Sequence, residues 1–317
     1  MQKLFADVTQ AIGNTPLVAL DRLTAGLPGR IFLKLEYFNP GLAIKDRIAL
    51  QIIEDAEADG RLQPGGVVVE LTSGNTGTGL AIVCGVKGYR MICVMSEGNT
   101  PERARMMRAL GAEVVLVPQV AGSQPGQVSG ADLEEVERVA QELTEKYHAL
   151  RADQFGNLSN RRAHEVRTGV EIWEQTAGKV DAFVSIAGSG GSFGGVASAL
   201  KARKPEVQCY VVEPESAPYL AGEAITNPNH KIQGTGYMRE LPQIPSELVD
   251  GFLTVSDEKA IVTARELAKR EGIFGGFSTG ANVAAALQLA SKAEPGQMIV
   301  TFACDSGLKY LSTDLYE

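Results

Sequence analysis

The feature that most constrains this chain is a repeated alternation of short β-branched runs with longer segments of helical periodicity. Apolar runs at 67–71, 90–97 and 181–187 are each followed by a segment with helical spacing. This alternation is typical of parallel sheets joined by crossover helices. Continuous Val and Ile runs indicate strands that are covered on both faces. The sequence therefore predicts an α/β fold with two doubly wound parallel sheets, with further strands at 113–118, 208–214, 252–256 and 298–305.

The length and local composition of the chain predict where it divides. A chain of 317 residues exceeds the usual size of one domain, ~100 to 200 residues. We expect an N-terminal domain at 1–155 and a C-terminal domain at 156–317, and the first ~40 residues are candidates for packing on the C-terminal domain. The segment 119–130 is rich in Gly, Ser and Pro and predicts a long loop.

Charge and motif content exclude several classes of protein. The net charge is -8 and the basic residues are scattered, which disfavours nucleic acid and membrane partners. The N-terminus lacks the pattern of a signal peptide, so a cytoplasmic location is expected. The four cysteines form no C-x-x-C pair and the three histidines form no H-E-x-x-H motif, so no metal site is expected.

The densest glycine cluster, AGSGGSFGGV at 187–196, follows a predicted strand and precedes a predicted helix. Glycines allow backbone N–H groups to approach an anion, and the helix N-terminus adds positive potential. Ser189 and Ser192 add hydroxyl groups. The cluster therefore predicts a phosphate site, and the alternative is a tight turn whose glycines only permit close packing.

An acidic residue downstream of this cluster keeps a second class of enzyme open. Glu213 closes a later predicted strand at roughly the spacing of a ribose-binding acid, ~20 residues or more after the glycines. A nicotinamide-dependent dehydrogenase is the resulting alternative, although the glycine spacing does not match G-x-G-x-x-G.

Two further loops place hydroxyl and amide side chains at the start of predicted helices. In ELTSGNTGTGL, uncharged donors at a helix N-terminus suit a substrate carboxylate or form an elaborate N-cap. In GGFSTGANVAAAL, Ser278 or Thr279 either hydrogen-bonds a ligand ring or caps the helix. The donors of the first loop are Thr72, Ser73, Asn75 and Thr76.

One lysine combines apolar neighbours with a preceding turn. Lys45 stands in NPGLAIKDRIAL, between Ile44 and Ile48. Desolvation lowers the pKa of a lysine amine and makes it nucleophilic enough to form a Schiff base. The alternative is an exposed helix lysine paired with nearby acids.

Taken together, these motifs resemble the cysteine synthase and cystathionine β-synthase family, pyridoxal-phosphate enzymes of fold type II. The chain is most similar to O-acetylserine sulfhydrylase-like cysteine synthases. The resemblance covers nearly the whole chain, from IGNTPLV through NPGLAIKDR, TSGNTG, HEVRTGVEIWEQTAGKVDAFV, GSGGS, KIQGTG and FSTGANVAAAL to DSGLKYLST. It implies the tryptophan synthase β-like architecture, with the cofactor in the crevice between the two domains and a mobile substrate-binding part in the first.

The resemblance also implies a role for each candidate residue. Lys45 would bind the aldehyde of pyridoxal 5'-phosphate and move the substrate α-proton. Asn75 would hydrogen-bond the 3'-oxygen of the pyridine ring, and Ser278 would face the ring nitrogen. The cofactor phosphate would be held by Gly188, Ser189, Gly190, Gly191 and Ser192. The amino-acid carboxylate would be bound by Thr72, Ser73, Thr76 and Gln154.

The implied reaction is β-replacement on an O-activated L-serine, such as O-acetylserine, with sulfide or a related nucleophile. It would give L-cysteine or an analogue through an aminoacrylate intermediate. The alternative within the same chemistry is a β-eliminating lyase, either a cysteine desulfhydrase or a serine or threonine dehydratase. The expected partners are a small amino-acid substrate, a second copy in a homodimer, and a serine acetyltransferase.

Four positions depart from the family's usual residues. Ala43 stands where cysteine synthases usually have serine, and Cys304 stands where proline is common. Tyr237 and Met238 follow KIQGTG where smaller residues often occur. Because these positions line or gate the pocket by analogy, the resemblance specifies the reaction type more closely than the reactants.

Overall fold

The computed structural model describes residues 4–123 and 128–317. The predicted loop at 119–130 lies partly outside the described residues, since 124–127 are not among them. The described residues form ten strands, which in chain order are β1 (Leu17–Ala19), β2 (Arg30–Leu35), β3 (Val67–Leu71), β4 (Arg90–Ser96), β5 (Glu113–Val117), β6 (Leu150–Arg151), β7 (Ala182–Ile186), β8 (Gln208–Pro214), β9 (Gly251–Val255) and β10 (Met298–Ala303).

The described residues also form nine α-helices. A π-helical segment, His164–Thr168, separates the fifth from the sixth. In chain order the helices are α1 (Lys45–Ala58), α2 (Asn75–Lys87), α3 (Pro101–Ala109), α4 (Gly130–Tyr147), α5 (Ser159–Ala163), α6 (Gly169–Gln175), α7 (Gly191–Lys201), α8 (Asp257–Glu271) and α9 (Phe277–Ala290). None of these helices combines the length and apolarity needed to span a membrane.

The chain divides into two compact units. The first comprises Met1–Ile12 and Lys45–Ser159, and the second comprises Gly13–Ile44 and Asn160–Glu317. The segment Gly13–Ile44 belongs to the second unit because β2 pairs with β10 along its whole length, from Arg30 opposite Met298 to Leu35 opposite Ala303. The chain therefore enters the second unit twice, at residues 13–44 and again from residue 160.

The first unit is built on a four-stranded parallel sheet in the order β5-β4-β3-β6. Successive residues of β3 point to opposite faces, so Val68 packs with α1 and α2 while Val69 packs with α4. Both side chains are fully buried. Each such burial stabilises the fold by about 1.5–3 kcal/mol, so the apolar run VVVEL is explained by helices on both faces.

The second unit is built on a six-stranded sheet in the order β1-β2-β10-β7-β8-β9. Only β1 runs antiparallel to its neighbour among the described strands of this sheet. The central strands end beside the loops that open α7 and α9, and the side chains of Phe183, Phe193 and Phe302 fill the interior with ring contacts. In parallel α/β sheets ligands bind outside the carboxyl ends of such strands.

Candidate active site

Lys45 is the first residue of α1 and lies in the first unit. Helix α1 packs closely on α2 at Gly79. A Cβ added at this glycine would lie only 3.1 Å from the Lys45 carbonyl oxygen and from Ala49 Cβ. At the other end of the two helices, Lys87 Nζ contacts Glu57 Oε2 at 2.8 Å. The helices are therefore parallel, and their N-terminal turns lie side by side. This packing places Lys45 near the loop that opens α2.

The TSGNTG loop joins β3 to α2 and is folded around the Thr72 side chain. The Thr72 hydroxyl oxygen accepts hydrogen bonds from the N–H groups of Gly74 and Gly77, both at 3.0 Å. Gly74 has φ +140°, a conformation that L side chains rarely adopt. Thr72 is buried and acts as a cap for the loop, which leaves its hydroxyl proton as the donor for a ligand.

The other polar residues of the same loop lie around the start of α2. Asn75 is the first residue of the helix and is partly exposed. The Thr76 hydroxyl donates to Gln154 Oε1 at 2.7 Å, so the Gln154 side chain lies beside the first turn of α2. The carbonyl of Ser73 accepts a hydrogen bond from Arg103 Nη1 at 2.6 Å. The structure thus brings the predicted carboxylate-binding residues together within the first unit.

The second unit contains the glycine and serine loop between β7 and α7. Gly190 has φ +88° and precedes α7, whose first residue is Gly191. A Cβ at Gly191 would lie 2.0 Å from Asn160 Oδ1, and the same Asn160 donates from Nδ2 to Ser189 Oγ at 2.8 Å. The absence of side chains at these glycines is what allows Asn160 to approach the loop.

This loop has the properties of a phosphate site. The first N–H groups of a helix have no acceptor within the helix, and they carry partial positive charge. Ser189 and Ser192 add hydroxyls at the same end of α7, and Ser192 is partly exposed. A phosphate monoester would find backbone N–H groups and hydroxyls there. The residues present therefore fit the phosphate of a small cofactor.

Ser278, the second residue of α9, lies in the second unit and is partly buried. Helix α9 is tied to two strands by the buried Asn282, whose Oδ1 accepts from the Ile186 N–H at 2.7 Å and whose Nδ2 donates to the Phe302 carbonyl at 3.1 Å. Because Ile186 ends β7, Asn282 holds the first turns of α9 beside the strand that leads into the phosphate loop. Thr279, the other hydroxyl considered there, is buried and accepts from the Cys304 N–H at 3.1 Å.

The residue that supported a dehydrogenase has a different role. Glu213 is buried, and its carboxylate accepts hydrogen bonds from the N–H groups of Leu220 and Ala221, both at 2.9 Å. Burial raises the pKa of Glu213, although these two hydrogen bonds favour its ionised form. Both carboxylate oxygens are used to hold the following turn, so the residue does not present a free carboxylate to a ribose.

Three of the four cysteines have buried thiols, and the fourth is partly exposed. Cys84, Cys93 and Cys209 are buried, and burial raises the pKa of each thiol. Cys304 is partly exposed and follows β10, where its sulfur accepts from Asn282 Nδ2 at 3.3 Å. It is therefore the thiol that lies near the Ser278 side of the second unit.

Sequence reasoning missed three residues that shape these loops: Arg103, Asn160 and Asn282. Each acts through a hydrogen bond to a residue far away in the sequence. Asn160 and Ser189 are 29 positions apart, and Asn282 and Ile186 are 96 positions apart. No local pattern marks such residues. For Asn282 one signal was available: it is a single amide in the apolar segment ANVAAAL, and a buried amide needs a hydrogen-bond partner.

The chain matches the family model described as "Pyridoxal-phosphate dependent enzyme" over residues 8–305. It is 40% identical to a cysteine synthase from Staphylococcus aureus over 316 residues, which is 99% of this chain and 98% of that protein.

Two solved structures are similar over nearly their whole length. An O-ureido-L-serine synthase is 39% identical with a TM-score of 0.90, covering 99% of this chain and 96% of that one. A hydrogen sulfide-producing enzyme from Fusobacterium nucleatum is 39% identical with a TM-score of 0.88, covering 97% of this chain and 100% of that one. With the family match, these likenesses show that the chain belongs to the pyridoxal-phosphate dependent enzymes and is a cysteine synthase-like member of that family.

Proposed function

We propose that this enzyme catalyses β-replacement on an O-activated L-serine, with O-acetylserine as the substrate and sulfide as the nucleophile, to give L-cysteine. The observation that carries the proposal is the parallel packing of α1 and α2, which places Lys45 beside the TSGNTG loop. An amine for proton transfer and a set of neutral donors for a carboxylate then serve the same substrate. The similarity to a cysteine synthase supports the choice of product.

In this proposal the cofactor is pyridoxal phosphate. Lys45 would bind its aldehyde, Asn75 would donate to its 3'-oxygen, and the loop Gly188–Ser192 would hold its phosphate. When bound, pyridoxal phosphate supplies an electron sink that stabilises negative charge at the substrate Cα. Ser278 would hydrogen-bond the ring nitrogen without a negative charge of its own, which favours loss of a β-substituent over transamination.

The chain's own residues carry the remaining steps. Thr72, Ser73, Thr76 and Gln154 orient the amino acid by its carboxylate, with the N-terminus of α2 adding positive potential. Lys45 Nζ takes the proton from Cα and later returns it, as a general base and then a general acid. Exclusion of water by the TSGNTG loop would protect the reacting centre from hydrolysis.

A β-eliminating lyase is the second candidate, and one comparison favours it. The similar enzyme from Fusobacterium nucleatum is described as hydrogen sulfide-producing. A cysteine desulfhydrase would use the same proton transfer at Lys45 and would release pyruvate instead of accepting a nucleophile. The O-ureido-L-serine synthase likewise favours a broader choice of nucleophile than sulfide alone.

The two candidates are separated by their products. Purified holoenzyme is given O-acetylserine with and without sulfide, and in a separate reaction L-cysteine alone; cysteine, pyruvate and sulfide are measured in each. We expect cysteine to be the main product when sulfide is present. Pyruvate as the main product under the same conditions, or release of sulfide and pyruvate in equal amounts from L-cysteine, would establish the lyase instead.

The assembly and the location remain predictions. We expect a homodimer, which light scattering on the purified holoenzyme would test. Binding of a serine acetyltransferase would be tested by calorimetry with the purified partner enzyme. A cytoplasmic location would be tested by cell fractionation.

A further inference from the structure

Glu70 is an acidic residue in the middle of an apolar sheet and has no place in the proposed chemistry. It lies on β3, with neighbours β4 and β6, and only 1% of its surface is exposed. A buried carboxylate is costly unless it is paired and hydrogen-bonded. We propose that Glu70, paired with Arg151, is a positioning residue that fixes Gln154 against Thr76 and so completes the substrate-carboxylate site. This inference rests on the proposed function, because that function assigns Gln154 and Thr76 to the carboxylate.

The Glu70 carboxylate organises the turn that follows β6. It accepts hydrogen bonds from the N–H of Asp153 at 2.8 Å and the N–H of Gln154 at 3.4 Å, and it pairs with the Arg151 guanidinium. Asp153 has φ +48°, a left-handed conformation that aspartate adopts more readily than most residues other than glycine. Glu70 supplies the acceptor for two successive backbone donors of this turn.

The same Gln154 connects this turn to the TSGNTG loop. Its side chain accepts from the Thr76 hydroxyl at 2.7 Å and donates to the Leu71 carbonyl at 3.4 Å. One residue is thus held through its backbone by Glu70 and contacts the first turn of α2 through its side chain. Loss of the Glu70 carboxylate would free the Gln154 backbone and, through it, the orientation of Thr76.

The charge of Glu70 is balanced within the first unit. Arg151 pairs with Glu70 on one side and with Glu137 of α4 at 2.9 Å on the other. Burial raises the pKa of the Glu70 carboxyl to about 7, although Arg151 and the two backbone N–H groups favour its ionised form. The guanidinium is therefore part of the device, because it opposes the effect of burial and favours the ionised form of the carboxyl.

The test compares the holoenzymes of wild type, Glu70→Ala, Glu70→Gln and the control Glu57→Gln. Glu57 belongs to the same unit and accepts from Lys87 and Tyr89 at the far end of α1 and α2. Steady-state kinetics gives kcat and the KM for O-acetylserine and for sulfide, and calorimetry gives the Kd for L-serine. Melting temperature and bound cofactor are measured on the same samples.

We expect Glu70→Ala to raise the KM for O-acetylserine and the Kd for L-serine by about tenfold or more, since a hydrogen-bonded charge is lost. The KM for sulfide and the cofactor content should stay at the wild-type values. Glu70→Gln keeps one acceptor oxygen and should show a smaller rise, and Glu57→Gln should match the wild type. If Glu70→Ala does not fold, the inference is tested by Glu70→Gln alone, through its KM for O-acetylserine and its Kd for L-serine.

Two results would overturn the inference. The first is a lower melting temperature with unchanged KM and Kd, which would make Glu70 a purely structural residue. The second is a fall in kcat without any change in amino-acid affinity. If the wild type forms neither cysteine nor pyruvate, the proposed function fails, and the Kd for L-serine alone then decides whether Glu70 positions a carboxylate site.

Discussion

At the scale of single residues, the phosphate loop shows how the absence of a side chain creates a site. Gly190 adopts a left-handed φ of +88°, and Gly191 allows Asn160 to reach Ser189. The types of residue in this loop could be predicted from the sequence, because glycines and serines at a helix N-terminus have a general affinity for anions. The partner Asn160 could not, since nothing local connects it with the loop.

Gly191→Ala should lower the affinity for pyridoxal phosphate by about tenfold or more. The added methyl would lie 2.0 Å from Asn160 Oδ1, so Asn160 must move and lose its hydrogen bond to Ser189. Fluorescence titration of the apoenzyme with pyridoxal phosphate measures this affinity. The control is Gly130→Ala, because a Cβ at Gly130 would meet no atom within 4 Å. Equal affinity in both variants would show that the loop does not hold the phosphate.

At the scale of elements, strands with a continuous apolar sequence could be predicted. A strand of two residues, which is defined only by its pairing with a neighbour, could not. The predicted strand at 67–71 agrees with β3 and that at 208–214 with β8, because both are mostly buried and contain consecutive Val residues. Strand β6 has two residues, and its identity depends on pairing with β3. The π-helical segment His164–Thr168 leaves no periodicity signal, since a single wide turn only shifts the helical phase.

Helix α4 provides a test of stability that depends on pH. Its capping box joins Ser129 and Asp132, and Asp132 also accepts from the Val120 N–H at 2.8 Å. Burial raises the pKa of Asp132, but the hydrogen bonds from Ser129 and Val120 outweigh this effect and hold the pKa at about 2, below the ordinary 3.8. Because its pKa is lower in the folded than in the unfolded state, the ionised Asp132 carboxylate stabilises the folded protein. This stabilisation is complete above pH 3.8 and is lost as the pH falls toward 2.

Asp132→Asn should therefore lower the free energy of unfolding by about 1 kcal/mol near neutral pH. The difference from the wild type should shrink as the pH falls below 3.8, because the Asp132 carboxylate of the unfolded chain is then protonated while that of the folded chain stays ionised down to about 2. Urea unfolding followed by circular dichroism at several pH values measures both quantities, with Glu134→Gln at an exposed position of the same helix as the control. A difference that is independent of pH would rule out the carboxylate as its source.

At the scale of the whole molecule, the α/β class and the parallel sheets followed from the alternation of runs in the sequence. The sequence also made the first ~40 residues candidates for packing on the C-terminal domain. It could not identify the pairing of β2 with β10, because this pairing joins segments about 270 residues apart, as Arg30 with Met298 shows. The motifs of the candidate site could be predicted from the sequence. The residues that hold these motifs in place could be identified only from the structure. Glu70 left one trace in the sequence, a lone acid at the end of an apolar strand.

The central claim is that Lys45 binds pyridoxal phosphate covalently. The most direct measurement is reduction of the purified holoenzyme with borohydride, followed by digestion and mass spectrometry of the peptides. The account predicts one reduced pyridoxyl phosphate on Lys45, lost in Lys45→Ala and retained in Lys87→Ala, where the replaced lysine pairs with Glu57 at the other end of the same two helices. A label on another lysine, or a wild-type protein that takes up no cofactor, would contradict the account.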